Sequence, residues 1–310
     1  LTSVALLAPG TTQGDSAFGD LPSIGGASVG ENGYYINGLN ITNFRTGVGS
    51  SEPPFDMYET FEVKTGGYSA EFGRVTGGVI NAKTKSGTNE FKAGANFYWE
   101  PDALREQRNS SRNNVNGLYR IDNTQDEVNE WDVNVWASGA LIEDKLFFYA
   151  LFNPRSAENN YVGEQTNTAD GVLQNGTFEK DEDAFWVAKL DWYVTENNIL
   201  EITAFSDERS TEITTYDSVD GGDFTNGRVG YEDEGGLNYT AKWTSIINDD
   251  FSISAQYGVN QTDRTTRSSL DANPAVYFRY DSTGSFIPTS TFANFSVDQG
   301  DDEREVFRID

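Results

Sequence analysis

Apolar and polar residues alternate along four long segments in the part of the chain that begins at residue 89. The clearest segment runs from Trp131 to Leu141, where every second residue is apolar or small. The same alternation recurs over 184–193, 237–244 and 251–260. A period of two places successive side chains on opposite faces of a β-strand. The pattern predicts long antiparallel strands that have one apolar, aromatic face and one mostly polar face.

Two further strands are predicted near 145–154 and 198–207. The run from Leu146 to Phe152 is apolar at nearly every position and therefore does not alternate. A strand that is covered on both faces gives this pattern. We expect such a strand to contact lipid on one side and another part of the protein on the other.

The connections between these segments alternate in length. Tight polar turns are expected at 143–144, 196–198 and 248–250. Long polar loops are expected at the four other connections, near 101–127, 155–182, 208–233 and 264–301. Outer-membrane β-barrels combine short periplasmic turns with long external loops. A soluble β-sandwich has no reason to sort its connections in this way.

Residues 1–88 follow a different pattern. Short apolar runs at 4–7, 34–36, 61–64 and 79–83 are separated by glycine-rich turns. Such runs are typical of a small mixed sheet with tight connections. The sequence thus predicts two domains, at 1–88 and 89–310.

Composition excludes several classes of protein. The chain has no stretch of 18 apolar residues, so any membrane crossing must use strands closed into a barrel. It contains 0 Cys and 0 His, which removes disulfides, the usual zinc sites, thiol nucleophiles and Ser-His-Asp triads. A net charge of -27 argues against a nucleic-acid partner. We therefore expect no enzymatic activity and no cofactor.

The external acidity has two interpretations. In each of the four long loops acidic residues outnumber basic ones, and such charge usually keeps a surface solvated. The alternative is a calcium site formed by Asp217, Asp220 and Asp223. Their spacing is loose and lacks the closing glutamate of a calcium loop, so the sequence favours the solvated surface.

One segment carries a family resemblance. Residues 58–94, YETFEVKTGGYSAEFGRVTGGVINAKTKSGTNEFKAG, resemble the end of the plug domain in TonB-dependent transporters. Upstream, LLAPGTTQG and SIGGASVGENGYYINGLNIT resemble the same domain, in particular in the Oar-like branch. Asn37 departs from the family pattern, which usually has an aspartate there.

The resemblance implies a mainly β fold. A small mixed α/β plug would precede a transmembrane antiparallel β-barrel, with its boundary at about residue 88. Plugged transporters have about 22 strands, whereas an eight-stranded barrel has no room for a plug. Since about eight strands are visible, we expect a fragment cut at both ends, with the eighth strand at 302–310.

The plug-like segment supplies the candidate site residues. Gly66, Gly67, Gly77 and Gly78 permit positive φ and close backbone approach, which suits a compact plug against a barrel wall. Two ordinary turns are the alternative. Glu71 and Arg74 could form a solvated local pair or, as the resemblance favours, hold the plug inside the barrel.

The resemblance also implies a function and partners. The expected activity is energy-coupled transport across the bacterial outer membrane, with a plug that gates the barrel. TonB, acting with ExbB and ExbD, would drive the plug, and the other partners would be outer-membrane lipid, lipopolysaccharide and an unidentified extracellular substrate. Two alternatives stay open: a secreted acidic adhesin or carbohydrate-binding protein, and a passive porin without a plug.

Overall fold

The computed structural model describes residues 5–15, 18, 21–73, 75–168, 171–216, 218–220, 223–225, 228–268, 278–280, 286–288 and 299–310. Short 3-10 helices occur at Val29–Glu31, Phe55–Met57, Ala70–Phe72 and Asp102–Leu104. Among the described residues, no helix has both the length and the apolar character that a membrane crossing requires.

Strands dominate the described part of the chain. Their bounds, in chain order, are β1 Thr11–Gln13, β2 Pro22–Ile24, β3 Gly33–Ile36, β4 Leu39–Asn40, β5 Tyr58–Lys64, β6 Val79–Thr84, β7 Lys92–Glu100, β8 Ser111–Arg112, β9 Tyr119–Ile121, β10 Glu127–Ile142, β11 Leu146–Thr168, β12 Gly171–Thr195, β13 Asn198–Ser206, β14 Arg209–Tyr216, β15 Ser218–Asp220, β16 Asp223–Thr225, β17 Arg228–Gly235, β18 Leu237–Asn248, β19 Phe251–Ser268, β20 Phe278–Tyr280, β21 Phe286–Pro288 and β22 Gln299–Ile309.

The N-terminal segment, residues 5–88, is built around a four-stranded mixed sheet in the order β4-β3-β6-β5. β3 and β6 are parallel, and the two outer pairs are antiparallel. The two-residue loop between β3 and β4 is Asn37-Gly38, with φ of 49° and 80°. Asn-Gly with positive φ at both positions favours a type I′ turn, which closes a tight hairpin. The mixed sheet predicted for this part of the chain is present.

Ten of the later strands form one antiparallel sheet, which we call the wall. β13 and β14 both pair with β12 and follow each other along it, and β17 and β18 do the same along β19. The ten strands therefore occupy eight positions, from β7 at one edge to β22 at the other. This agrees with the prediction of about eight barrel strands.

Side chains on the wall alternate between its two faces. Along β12, Phe185, Val187, Lys189 and Asp191 are buried, whereas the residues between them are exposed. The exposed set includes large apolar side chains such as Trp186, Leu190 and Trp192. The buried set lies on the face that contacts the N-terminal segment, which we call the inner face. The predicted period of two is confirmed, and the apolar, aromatic face is the outer one.

The predicted loops differ from the structure in conformation. β11 and β12 contain 23 and 25 residues and stay paired through most of 155–182. β14, β17 and the end of β19 likewise extend into the segments expected to be loops. Polar residues continue the same ladder, as where Lys180 pairs with Glu158. Backbone hydrogen bonds hold such strands without an apolar face, so polarity alone misidentified them as irregular.

Candidate functional site

The N-terminal segment packs against the inner face of the wall through an apolar cluster. On the wall this cluster contains Tyr149, Leu151, Phe185, Val187 and Phe205, from β11, β12 and β13. The N-terminal side contributes apolar residues that are almost fully buried: Ile24, Tyr34, Ile36, Leu39, Ile41, Met57, Tyr58, Ile80 and Ala82. The run Leu146–Phe152 is therefore covered on its inner side by the N-terminal segment. Burial of this kind is the main non-directional force that holds two surfaces together.

Strand register places eight inner-face residues in one line across the wall, which we call the central row. Each residue pairs with the next in the order Gly94, Trp136, Leu151, Val187, Phe205, Asn238, Asn260, Arg304. The row changes character midway. Trp136 to Phe205 are apolar and belong to or pack on the apolar cluster, whereas the last three residues are polar.

The polar end of the central row forms a directed hydrogen-bond chain. The Nη2 of Arg304 donates to Asn260 Oδ1 at 3.1 Å, and the Nδ2 of Asn260 donates to Asn238 Oδ1. The Nδ2 of Asn238 then donates to Asp207 Oδ1 at 3.1 Å. We call these four residues the polar chain. It joins a cation to a carboxylate through two amides, and every donor points the same way.

Arg304 also holds the N-terminal segment. Its Nη2 donates to the backbone carbonyl of Asn40 and, at 3.2 Å, to that of Thr42. Its guanidinium lies 5.0 Å from the centre of the Phe44 ring, a geometry that attracts a cation to an aromatic face. One side chain at the edge of the wall therefore holds the segment between β4 and Phe44.

The other end of the polar chain contacts the same loop further along. Asp207 lies between β13 and β14, where it accepts hydrogen bonds from the Gly236 backbone N–H at 3.0 Å and from Ser51. Burial raises the pKa of the Asp207 carboxyl above its ordinary value, and these donors oppose the rise. The loop that follows β4 is thus held at Asn40 and Thr42 by Arg304, and at Ser51 by Asp207.

The β3–β4 turn contacts the wall directly. The Nδ2 of Asn37 donates to Thr203 Oγ1 at 2.9 Å, and the Asn37 carbonyl accepts a hydrogen bond from Gln256 Nε2 at 2.9 Å. Gly38 has φ of +80°, and a Cβ there would lie 2.7 Å from the Gln256 Oε1. The turn therefore needs glycine both for its backbone conformation and for its approach to the wall.

Ion pairs supplement these contacts. Glu71 Oε2 lies 3.3 Å from Arg308 Nη1, and Arg45 lies 3.5 Å from Asp302. Both pairs are partly exposed, and pairs of that kind contribute little to stability. Three residues on the inner face of β22, Asp302, Arg304 and Arg308, thus contact the N-terminal segment.

A cavity of about 1170 Å³ lies on one side of this interface. Its lining combines part of the loop after β4, including Ile41, Asn43 and Arg45, with the ends of the wall strands beyond the central row. Arg155 and Asp183 form a bidentate pair there, in which Nε donates to Oδ1 at 2.9 Å and Nη2 donates to Oδ2 at 2.6 Å. The cavity is large enough for a drug-sized ligand, and its lining is mainly polar and charged.

The predicted site residues occupy different positions. Gly66 and Gly67 have open space at the Cβ position, and Gly67 has φ of +65°. Gly77 and Gly78 are tightly packed within the N-terminal segment: a Cβ would lie 2.6 Å from Asn32 Oδ1 and 2.4 Å from Ile24, respectively. Their roles in gating stay predictions. Glu71 reaches the wall at Arg308.

Several predicted residues cannot be assigned a geometry. Arg74 and Asp217 lie outside the described residues, and the side chains of Asp220 and Asp223, on β15 and β16, are not described. Within the described part of the chain, His, Cys, Asp and Glu side chains form no group of three that could hold a metal ion.

Sequence reasoning missed the polar chain and Gln256. Asn238, Asn260 and Gln256 occupy the polar positions of predicted strands, so their face was correct but their partners were not identified. Arg304 lies in a strand expected to be cut short. Even-numbered positions 302 to 308 share the inner face, and that period was the available signal.

The chain is similar to known proteins in sequence and in structure. Residues 1–79 match the model of the TonB-dependent Receptor Plug Domain. The chain is 31% identical over 275 residues to the TonB-dependent transporter Oar of Myxococcus xanthus, an alignment that covers 88% of this chain and 22% of that protein. Its structure is similar to the siderophore receptor PirA from Acinetobacter baumannii, with a TM-score of 0.53, 18% identity, and coverage of 99% of this chain and 42% of that one. At that identity the second likeness shows the fold alone.

Proposed function

We propose that this chain, which carries a TonB-dependent receptor plug domain and is related to the TonB-dependent transporters, gates energy-coupled transport across the bacterial outer membrane. The plug domain lies on a partial β-barrel wall. It spans 22% of the length of Oar. Residues 1–88 act as the plug and residues 89–310 as the first part of the barrel.

The N-terminal segment, which we now call the plug, covers the inner face of a wall whose outer face is apolar. The proposal rests on this arrangement. Trp192, Trp243, Phe251 and Phe307 are all at least 42% exposed on the outer face. Soluble proteins rarely expose a contiguous apolar surface of this extent. Hydrocarbon lipid covers such a face without free-energy cost, and the chain is an outer-membrane protein.

The two alternatives lack support of this kind. A secreted adhesin or carbohydrate-binding module has no use for an outer face of exposed tryptophan, phenylalanine and leucine along successive strands. A passive porin keeps its interior open for water, whereas here the plug covers the inner face of the wall. No specific observation favours either class.

The cavity provides a place for substrate on the external side of the plug. The short turns at 143–145, 196–197 and 249–250 would face the periplasm, so the cavity, beyond the opposite end of the central row, would face outward. TonB, driven by ExbB and ExbD, would act on the plug from the periplasm. The substrate would first meet the loop after β4, which the polar chain holds.

Deletion of residues 1–88 from the full-length protein tests the proposal. If the plug closes the barrel, the deletion variant reconstituted into planar lipid bilayers conducts ions continuously, whereas the intact protein conducts little. Retention of heat-modifiable migration in a detergent gel shows that the barrel of the variant has folded. Equal conductance of the two folded proteins would contradict a gating plug. Solubility of the intact protein without detergent would contradict the membrane location.

A further inference from the structure

We propose that, within this part of the wall, the translocation path opens between the plug and β18, β19 and β22, while the plug stays attached to β10, β11, β12 and β13. This inference rests on the proposed transport function and adds the side of the wall on which the plug separates. It follows from the division of the central row into an apolar half, Trp136 to Phe205, and a polar half, Asn238 to Arg304.

The two halves of the row respond differently when water enters. Leu151, Val187 and Phe205 are at most 2% exposed. Their separation from the plug would expose apolar surface on both sides, and water offers no compensating interaction. The apolar cluster therefore holds the plug against this half of the row while most of the plug remains folded.

The polar half loses much less on hydration. When the plug withdraws, water replaces the carbonyls of Asn40 and Thr42 as hydrogen-bond acceptors for Arg304, and an exchanged hydrogen bond changes the free energy little. Arg304 gains hydration as well, because no carboxylate contacts its guanidinium directly among the described residues. A desolvated charge without a direct counter-ion is costly to bury, so hydration of the freed guanidinium offsets part of the free energy that is lost when these contacts break.

Neighbouring contacts on the polar side are equally easy to break. The pairs Glu71–Arg308 and Arg45–Asp302 are partly exposed, so water and salt already screen them. Where the plug does present an apolar residue to β19, Leu39 meets Gly258, which has no side chain to bury. Among the described residues, the apolar cluster takes no member from β18, β19 or β22.

The opened path would be continuous with the cavity. Asp207, Thr262 and Arg264 line the cavity and lie next to the polar half of the row along β13, β19 and their connections. The wall below them presents Asn260, then Gln256. On this side of the cavity the wall presents mainly amide, hydroxyl, carboxylate and guanidinium groups to the path, which suits a hydrated, polar substrate.

Cysteine accessibility tests the inference, because this chain contains 0 Cys. Single-cysteine variants of the full-length protein, otherwise free of cysteine, place the thiol in the same register row: Leu151→Cys and Val187→Cys on the apolar half, Asn238→Cys and Asn260→Cys on the polar half. Cells that contain the TonB system are treated with a charged, membrane-impermeant maleimide, with and without a protonophore. Heat-modifiable migration identifies the variants that fold. Thr240→Cys replaces Asn238→Cys if the latter does not fold.

Labelling rates report how often each side opens. We expect energised cells to label the polar-half thiols about tenfold faster than de-energised cells, and the apolar-half thiols at an unchanged rate. An energy-dependent increase on the apolar half, or an equal increase on both halves, would overturn the inference and leave the transport function standing. The absence of any energy-dependent change at all positions would overturn energy-driven plug movement, and both proposals with it.

Discussion

Leu151 provides the most direct test of how the plug is held in the wall. Its side chain is 2% exposed, lies in the apolar half of the central row and belongs to the cluster shared with the plug. Replacement by alanine removes buried apolar atoms and leaves a cavity that a strand of the wall cannot easily close. Leu→Ala changes at such sites cost about 3 kcal/mol. The wall itself has a continuous ladder, so we expect most of this loss to weaken plug docking.

A loss of about 3 kcal/mol corresponds to a roughly hundredfold larger population of undocked plug. Hydrogen exchange of the β3 and β6 amides, measured on the full-length protein in detergent, reports that population. We expect these amides to exchange roughly a hundredfold faster in Leu151→Ala. The amides of β11 next to the 143–145 turn and of β12 next to the 196–197 turn should keep their protection.

Leu190→Ala is the matched control, since it makes the same chemical change on the outer face of β12, where Leu190 is 38% exposed. It should leave exchange in β3 and β6 unchanged. Equal exchange of these strands in the two variants would refute the view that the apolar cluster holds the plug. Loss of protection throughout the wall in Leu151→Ala would show instead that Leu151 stabilises the barrel.

Three further predictions concern other contacts. Arg304→Met keeps the length of the side chain but removes its donors, so limited proteolysis should cut the loop after β4 faster while the heat-modifiable barrel persists; unchanged cleavage would contradict the role of this guanidinium. Burial raises the folded-state pKa of Asp207 above its ordinary value of 3.8. Its contribution to the free energy of unfolding is therefore fully present below pH 3.8 and is lost as the pH rises through the folded-state pKa. Asp207→Asn should therefore flatten the pH dependence of the melting temperature in this window, and a variant with the wild-type profile would exclude Asp207 as its source. Gly78→Ala places a methyl 2.4 Å from Ile24 and should cost about 1–3 kcal/mol in thermal unfolding, whereas Gly66→Ala meets open space and should be neutral; equal melting temperatures would contradict tight packing at Gly78.

The candidate site could be anticipated only in part. The glycine-rich segment identified the plug. The dipeptide Asn37-Gly38 is of a type that favours a tight hairpin turn. Neither feature indicates which wall residue the turn would meet. Gln256 lies 219 residues from Asn37 along the chain, and Arg304 lies 264 residues from Asn40. Contacts at such separations depend on how the whole sheet is placed around the plug.

The four predicted loops illustrate a different limit. Their polar composition is compatible with an irregular loop or with a strand that has water on both faces. β11 and β12 remain strands because each already has a partner in register and the ladder can continue. The choice lies in pairing between strands, which a composition does not report.

The sequence by itself determined the period of the wall, the face that would be apolar and the positions of the tight turns, because each depends on residues a few places apart. The mixed sheet of the plug followed from short apolar runs and glycines in the same way. Only the tertiary structure decided that register would collect Leu151, Val187 and Phe205 on one half of a row and Asn238, Asn260 and Arg304 on the other. That division arises because backbone hydrogen bonds fix the register of six strands. It decides where the wall holds the plug by apolar contact and where water can replace the contacts with the plug.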